Sequence, residues 1–251
     1  MKYIVIKING SILDQLAPSI FKQIADFKDN GLYPIIVHDG GPMVNEALKE
    51  SGIEIEYVKG IRKTNLQTLN IIVNTLLCKV NVDIVEEANE AAQNFIGING
   101  AYFPIFTCRP NAKELGYVAE PENINREVFQ QLCTNYIPVV ASIGRYHNQF
   151  YCINAETLAY KIAATMQSPL IILSDLPGIK DHGKVISNIQ FSELDKLICS
   201  KTNTDGMISK LKNASEALHA GAKEIIILPG YEENIMRQYL DGQPVGTKIH
   251  K

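Results

Sequence analysis

A chain of 251 residues, 46% hydrophobic and 20% charged, can bury a sizeable core, as one large α/β unit or as two lobes. Its formal net charge of −3 gives no overall field for DNA, RNA or anionic lipid, so nucleic acid is excluded as an expected partner and any anion must be held by a local site. The opening Met1-Lys2-Tyr3-Ile4-Val5-Ile6-Lys7 is too short an apolar run for a signal peptide, no stretch reads as a membrane span, and five widely spaced cysteines signal neither disulfides nor zinc. A cytoplasmic chain is expected.

Residues 3–8 form an apolar run ending in the turn Asn9-Gly10-Ser11. The spacing of Ile20, Phe21, Ile24 and Phe27 predicts a helix closed at Asn30-Gly31, followed by a strand over 34–38. That strand runs through His38 into Asp39-Gly40-Gly41-Pro42 and a helix over 43–51. Two glycines before a helix start let backbone N–H groups approach a phosphate, although the same grammar serves an ordinary turn. The order β-loop-α-β-loop-α implies parallel strands with right-handed crossovers, whose ligands bind beyond the C-terminal strand ends.

After an extended piece over 53–58 comes the cationic turn Lys59-Gly60-Ile61-Arg62-Lys63-Thr64, solvated surface in most proteins but able to aim a cation at a carboxylate. A helical pattern over 66–94 carries two apolar faces, one for the sheet and one for a second copy, so a homodimer through this element is expected. Residues 95–108 are rich in glycine and aromatics and show no period. A helix over 125–135, a strand over 137–142 and a polar turn over 144–149 follow. Cys152, Asn154 and Glu156 then alternate along a strand running into a helix over 157–166, which should place them on one side.

Pro169 marks the boundary between lobes 1–168 and 169–251. The second lobe reads as a strand over 170–174, the turn Asp175-Leu176-Pro177-Gly178, a strand over 184–189, helices near 191–199, 207–220 and 234–241, and strands over 224–228 and 245–250. Gly178 to Lys184 fits most of the Gly-x-x-x-x-Gly-Lys phosphate loop. However, Val185 offers no hydroxyl and begins a strand where that loop needs a helix, so a hairpin turn is expected. Asp205-Gly206-Met207-Ile208-Ser209-Lys210 opens a helix with a lysine in its first turns, a placement that opposes the helix dipole unless an anion sits nearby.

In this order, Lys7-Ile8-Asn9-Gly10-Ser11, Val37-His38-Asp39-Gly40-Gly41-Pro42, Gly60-Ile61-Arg62-Lys63-Thr64, Tyr151-Cys152-Ile153-Asn154-Ala155-Glu156, Leu173-Ser174-Asp175 and Gly206-Met207-Ile208-Ser209-Lys210 resemble the amino acid kinase family. The likeness is greatest to the branch acting on N-acetylglutamate and covers essentially the whole chain. It implies an α/β fold, a three-layer αβα sandwich around a mainly parallel sheet, with the amino-acid substrate and dimer contact in lobe 1–168 and the nucleotide in lobe 169–251. The implied reaction transfers a phosphoryl group from ATP, with Mg²⁺, to the side-chain carboxylate of N-acetyl-L-glutamate, giving the 5-phosphate in arginine biosynthesis. A carboxylate nucleophile is ionised near neutral pH, so such a site needs no general base and chiefly cancels charge.

By resemblance Lys7 and Lys210 would flank the transferred group, oriented by Glu156, and Gly40, Gly41 and Gly10 would offer N–H donors. Arg62 would clamp the substrate α-carboxylate, with Cys152 and Asn154 beside it, while Gly10, Asp175, Gly206 and Met207 would lie on the nucleotide side. No metal ligands within the chain are implied. The family usually has Gly at positions 9 and 39, Asn at 152 and Asp at 156. Asn9 and Asp39 tolerate left-handed backbone best among non-glycines, so both turns can keep their shape. A thiol cannot replace amide hydrogen bonds, and Glu156 adds a methylene where a misplacement of ~1 Å costs ~100-fold in rate. The alternatives to an active enzyme are therefore an impaired kinase-fold protein with a ligand-binding or regulatory role, or a kinase for another N-acylated acidic amino acid. The first strand begins almost at Met1, without the N-terminal helix of arginine-inhibited hexameric relatives, so a dimer insensitive to arginine is expected.

Overall fold

The computed structural model describes residues 1–58, 60–181, 183–198 and 205–251, apart from the side chains of 181, 196, 205–210 and 213. In chain order the principal elements are β1 (Lys2–Ile8), α1 (Ile20–Asp29), β2 (Leu32–His38), α2 (Gly41–Glu50), α3 (Leu66–Ala91), β3 (Phe95–Gly100), β4 (Phe106–Pro110), β5 (Val118–Ile124), α4 (Arg126–Asn135), β6 (Ile137–Tyr146), β7 (Gln149–Ile153), α5 (Ala155–Met166), β8 (Leu170–Ser174), β9 (Asn188–Gln190), α6 (Leu194–Ile198), α7 (Asp205–His219), β10 (Glu224–Pro229), α8 (Ile235–Leu240) and β11 (Thr247–His250). Two compact units result, Met1–Ile35 with Ala159–Lys251, and Ile36–Leu158. Strand β1 and helix α1 thus group with the C-terminal third, an arrangement that a linear cut at Pro169 does not convey. Both units are α/β, with mostly parallel strands flanked by helices.

In the first unit β1 pairs in parallel with β8, Val5 opposite Leu170 through Ile8 opposite Leu173, and β8 pairs in parallel with β10. Their near-continuous apolar sequences follow from burial: Val5, Ile6, Ile8, Ile171, Leu173, Ile225 and Leu228 are all inaccessible. Strand β11 runs antiparallel to β10 and parallel to β9. The phosphate-loop look-alike is a hairpin, as expected, with Lys180–Asp181 antiparallel to Lys184–Val185. The strand expected over 184–189 is divided instead, because its first half pairs within that hairpin while β9 pairs with β11.

In the second unit β2 and β3 both pair in parallel with β6, β6 is antiparallel to β7, β7 parallel to β5, and β5 antiparallel to β4. Two of these strands fill the region that showed no period. Its glycines give way to neighbouring side chains, with Asn81 lying against Gly97 and the Phe106 ring against Gly100, so no alternation of apolar residues survives in the sequence. Helix α3 ends at Ala91, earlier than its pattern suggests, and is widened by a π-turn over Leu76–Val80. By length and composition it could cross a membrane, a match not read from the sequence. Its Leu69, Leu76, Val80, Ile84 and Ala88 are buried in the core of this unit.

Candidate functional site

Strand β2 ends at His38 and α2 begins at Gly41, so Asp39 and Gly40 are the entire connection. Gly40 is the N-cap and provides no side-chain oxygen for the first helical N–H groups. Among the described residues neither the Gly40 nor the Gly41 N–H has a backbone acceptor, and Pro42 has no N–H to satisfy. The helix start thus presents donors at the positive end of its dipole. The two glycines are required for different reasons. A Cβ on Gly40 would fall 2.9 Å from Leu76 Cδ2 and from Val80 Cγ2, whereas a Cβ on Gly41 would meet nothing within 4 Å. Gly40 permits close packing on α3; Gly41 borders open space.

That space is a cavity of about 200 Å³ lined by Asp39, Gly40 and Gly41, by Val44 of α2, and by Ile72 and Leu76 of α3. Its remaining wall comes from Gly60 to Arg62, Thr64, Val118, Ser142, Cys152, Ile153 and Asn154. The volume suits a small molecule, with an apolar flank and a few convergent polar groups. Arg62 closes a two-stranded turn in which it pairs with Tyr57, and its guanidinium lies 5.8 Å from the centre of the Tyr57 ring. Its Nη2 donates to Asn45 Oδ1 from α2. With five donors on a guanidinium, such anchoring leaves others for an anion.

Burial pushes the Cys152 thiol up to about 12, against the pull of the Arg62 charge and a hydrogen bond with Thr64, so it stands neutral on the cavity wall near neutral pH. Cys152, Asn154 and Glu156 do not continue one strand face. Strand β7 stops at Ile153, Asn154 Oδ1 accepts the Thr157 N–H at 2.9 Å at the start of α5, and Glu156 lies in the first turn of that helix. A capping side chain won over strand alternation, so Cys152 and Asn154 line the cavity and Glu156 is absent from its lining.

The other expected residues lie in the first unit. Lys7 is only 1% exposed, and its Nζ donates to Asn9 Oδ1. Asn9 is extended (φ −71°, ψ 136°) and Asp39 is not among the described residues with positive φ, so left-handed tolerance is not what preserves these turns. Gly10 opens a short 3₁₀ turn. Asp175 follows β8, and its Oδ1 accepts from Ser174 Oγ at 3.2 Å; Ser174 Oγ in turn accepts the Leu176 N–H at 3.2 Å. Gly206, Met207 and Lys210 fall in the opening turns of α7, as the sequence predicts, but the side chains of Met207 and Lys210 lie outside the described residues. Sequence reasoning missed Asn45 and Ser142. Asn45 sits four residues after Gly41, hence on the same helix face, which is the one signal that could have found it.

Residues 2–229 match the model of the amino acid kinase family. The acetylglutamate kinase of Staphylococcus saprophyticus is 38% identical over 251 residues, with 99% of each chain covered. Among solved structures, smu.665 from Streptococcus mutans UA159 superposes with a TM-score of 0.85 at 26% identity, covering 99% of this chain and 98% of that one. Carbamate kinase from Giardia lamblia bound to AMP-PNP, at a TM-score of 0.71 and 16% identity over 100% of this chain and 98% of that one, shares the fold.

Proposed function

Since the chain belongs to the amino acid kinase family, we propose that it phosphorylates the side-chain carboxylate of N-acetyl-L-glutamate with ATP, a step of arginine biosynthesis. The observation that carries this reading is the cavity shared by Arg62 and the uncapped helix start at Gly40-Gly41, which suits a small acid with two carboxylates. Arg62 takes the α-carboxylate as a fork, and the acyl amide lies against Ser142, Cys152 and Asn154. The reactive carboxylate needs no base, because it is ionised at working pH. The Gly40 and Gly41 N–H groups stabilise charge on the transferred group, which is where preorganised donors contribute most.

Gly10, Asp175, Gly206 and Met207 stand on the nucleotide side, while Lys7 and Lys210 flank the transferred group and neutralise its oxygens, oriented by Glu156. Mg²⁺ is a hard cation held largely by phosphates and water, so it travels with ATP and needs no all-protein cage. Acceptor recognition belongs chiefly to lobe 1–168 and nucleotide recognition to lobe 169–251, joined by Gly10 of the β1 turn, which groups with that lobe. A cytoplasmic homodimer through α3 completes the reading; Val73, Leu77 and Val85 on that helix are only half-buried within one chain, which supports a partner there.

Steady-state release of ADP from MgATP with N-acetyl-L-glutamate tests the assignment. Turnover should vanish when N-acetyl-L-glutamate is omitted and fall with N-acetyl-L-aspartate. Equal or greater activity with another N-acylated acidic amino acid would transfer the assignment to that substrate, and binding of nucleotide without any turnover would end the enzymatic reading.

A further inference from the structure

Behind the Gly40-Gly41 turn lies a buried polar pair that the reaction itself does not use. His38, the last residue of β2, is inaccessible to solvent, and Asn81, the residue after the π-turn of α3, is 8% exposed. Asn81 Nδ2 stands 3.1 Å from the Val139 carbonyl and 2.9 Å from His38 Nε2. The carbonyl can only accept, which fixes the amide with its NH₂ toward both partners and makes His38 Nε2 an acceptor. The ring proton then belongs on Nδ1, which lies 3.3 Å from the Asp39 carbonyl oxygen and donates to it.

A trans peptide is planar, with C=O and N–H pointing in opposite directions. Holding the Asp39 carbonyl toward the imidazole therefore sends the Gly40 N–H away from it. That N–H has no backbone acceptor among the described residues, and Gly40 lines the cavity. The same π-turn brings Leu76 and Val80 against Gly40 and Asn81 against His38, so one irregular helical turn braces the loop from two sides.

We infer that His38 and Asn81 are positioning residues that set the orientation of the Asp39–Gly40 peptide and so aim the Gly40 N–H at the transferred phosphoryl group. This rests on the kinase reading of the cavity. Neither side chain touches substrate; both act through the peptide plane. Their loss should then lower kcat with little change in KM for either substrate, because a donor realised in the transition state is misdirected while Arg62 and the nucleotide contacts stand.

Two measurements test it. In kinetics, His38→Leu should lower kcat about 10- to 100-fold, with both KM values within about threefold of wild type. His38→Asn, whose amide places a donor near the former Nδ1, should recover most of that loss. Equal loss in both variants, an unchanged kcat in a folded His38→Leu, or a change confined to KM would overturn the inference. Should His38→Leu not fold, Gly97→Ala substitutes for it: a Cβ there would fall 2.2 Å from Asn81 Oδ1 and displace the amide without touching the cavity, and it should lower kcat in the same way. Separately, ¹⁵N NMR of the ligand-free protein should show His38 neutral with its proton on Nδ1, and Asn81→Ala should shift the tautomer balance toward Nε2–H. A wild-type ring protonated on Nε2 overturns the clamp. A wild type without turnover would refute the kinase reading, and the tautomer would still decide the clamp.

Discussion

At the end of β2 the chain turns through Asp39 and Gly40 into α2, and polar groups there look into a cavity: the helix N–H groups, Arg62 and the neutral Cys152 thiol all border the same small space. The end of β1 and the end of β8, in the other unit, are built differently. There the polar side chains engage one another, Lys7 with Asn9 and Ser174 with both Asp175 and the Leu176 N–H. On the proposed reading the first region takes a small acid, with specificity from shape and hydrogen-bond geometry. The second holds Lys7 and Asp175 hydrogen-bonded to neutral neighbours, so on the same reading a phosphate ligand there exchanges existing partners for its oxygens. Variants in the second region and at the Gly40-Gly41 turn should therefore act on kcat, and those at Arg62 and Cys152 on recognition of the acceptor.

The largest effect is expected at Lys7. Lys7→Met removes a buried cation beside Asn9 and should lower kcat about 100- to 1,000-fold, as loss of a preorganised charge-stabilising donor does, with the acceptor KM little changed. A raised acceptor KM at normal kcat would break the comparison. The glycines come next. Gly40→Ala forces a Cβ onto Leu76 and Val80 and should cost about 1–3 kcal/mol of stability together with roughly 100-fold in kcat/KM, whereas Gly41→Ala should leave the thermal midpoint unchanged and lower only activity. Matched unfolding and kinetic measurements separate the two.

Arg62→Lys loses the fork, the Tyr57 stacking and the Asn45 bond, and should raise the acceptor KM about 10- to 100-fold while the ATP KM holds. Cys152→Asn restores an amide to the cavity wall and should lower the acceptor KM by up to about tenfold, the value of one good hydrogen bond; a rise would show that the thiol fits this chain's own substrate. The smallest effect concerns pH. The Cys152 thiol titrates near 9.0 in an unfolded chain and near 12 when buried, so between those values the folded chain keeps a proton that the unfolded chain has lost. Its contribution to stability is complete below pH 9 and is lost as pH rises toward 12. Cys152→Ser should flatten this part of the urea-midpoint profile relative to wild type.

Elements were legible where local signals agreed. Strand β8 is bounded by Pro169 and the Ser174-Asp175 turn, and it falls on residues 170–174 as the apolar run indicates. Helix α4 starts after Asn125, whose Oδ1 accepts the Val128 N–H at 3.2 Å. Illegibility had equally local causes. Gly97 and Gly100 carry no side chain to mark a period, and their need becomes visible only when Asn81 and Phe106 are seen against them. Asn154 suits a strand or a helix cap, and its neighbours in sequence do not decide which. Asn81 is buried directly after the π-turn of α3 while the apolar pattern runs on, so a buried amide looked like one more polar residue on a helix.

By itself the sequence determined the α/β class, the order of strands and helices outside residues 95–124, the glycine turn after β2, the cationic turn that carries Arg62, and the family to which the chain belongs. These follow from interactions between near neighbours along the chain, or from an ordered set of motifs. Tertiary structure alone decided which glycine yields to packing and which to open space, that Cys152 and Asn154 border the cavity without Glu156, that β1 joins the unit of β8, and that His38 is held by Asn81. Each of these depends on atoms brought together from distant parts of the chain, where steric contact and hydrogen-bond geometry, rather than local propensity, set the outcome.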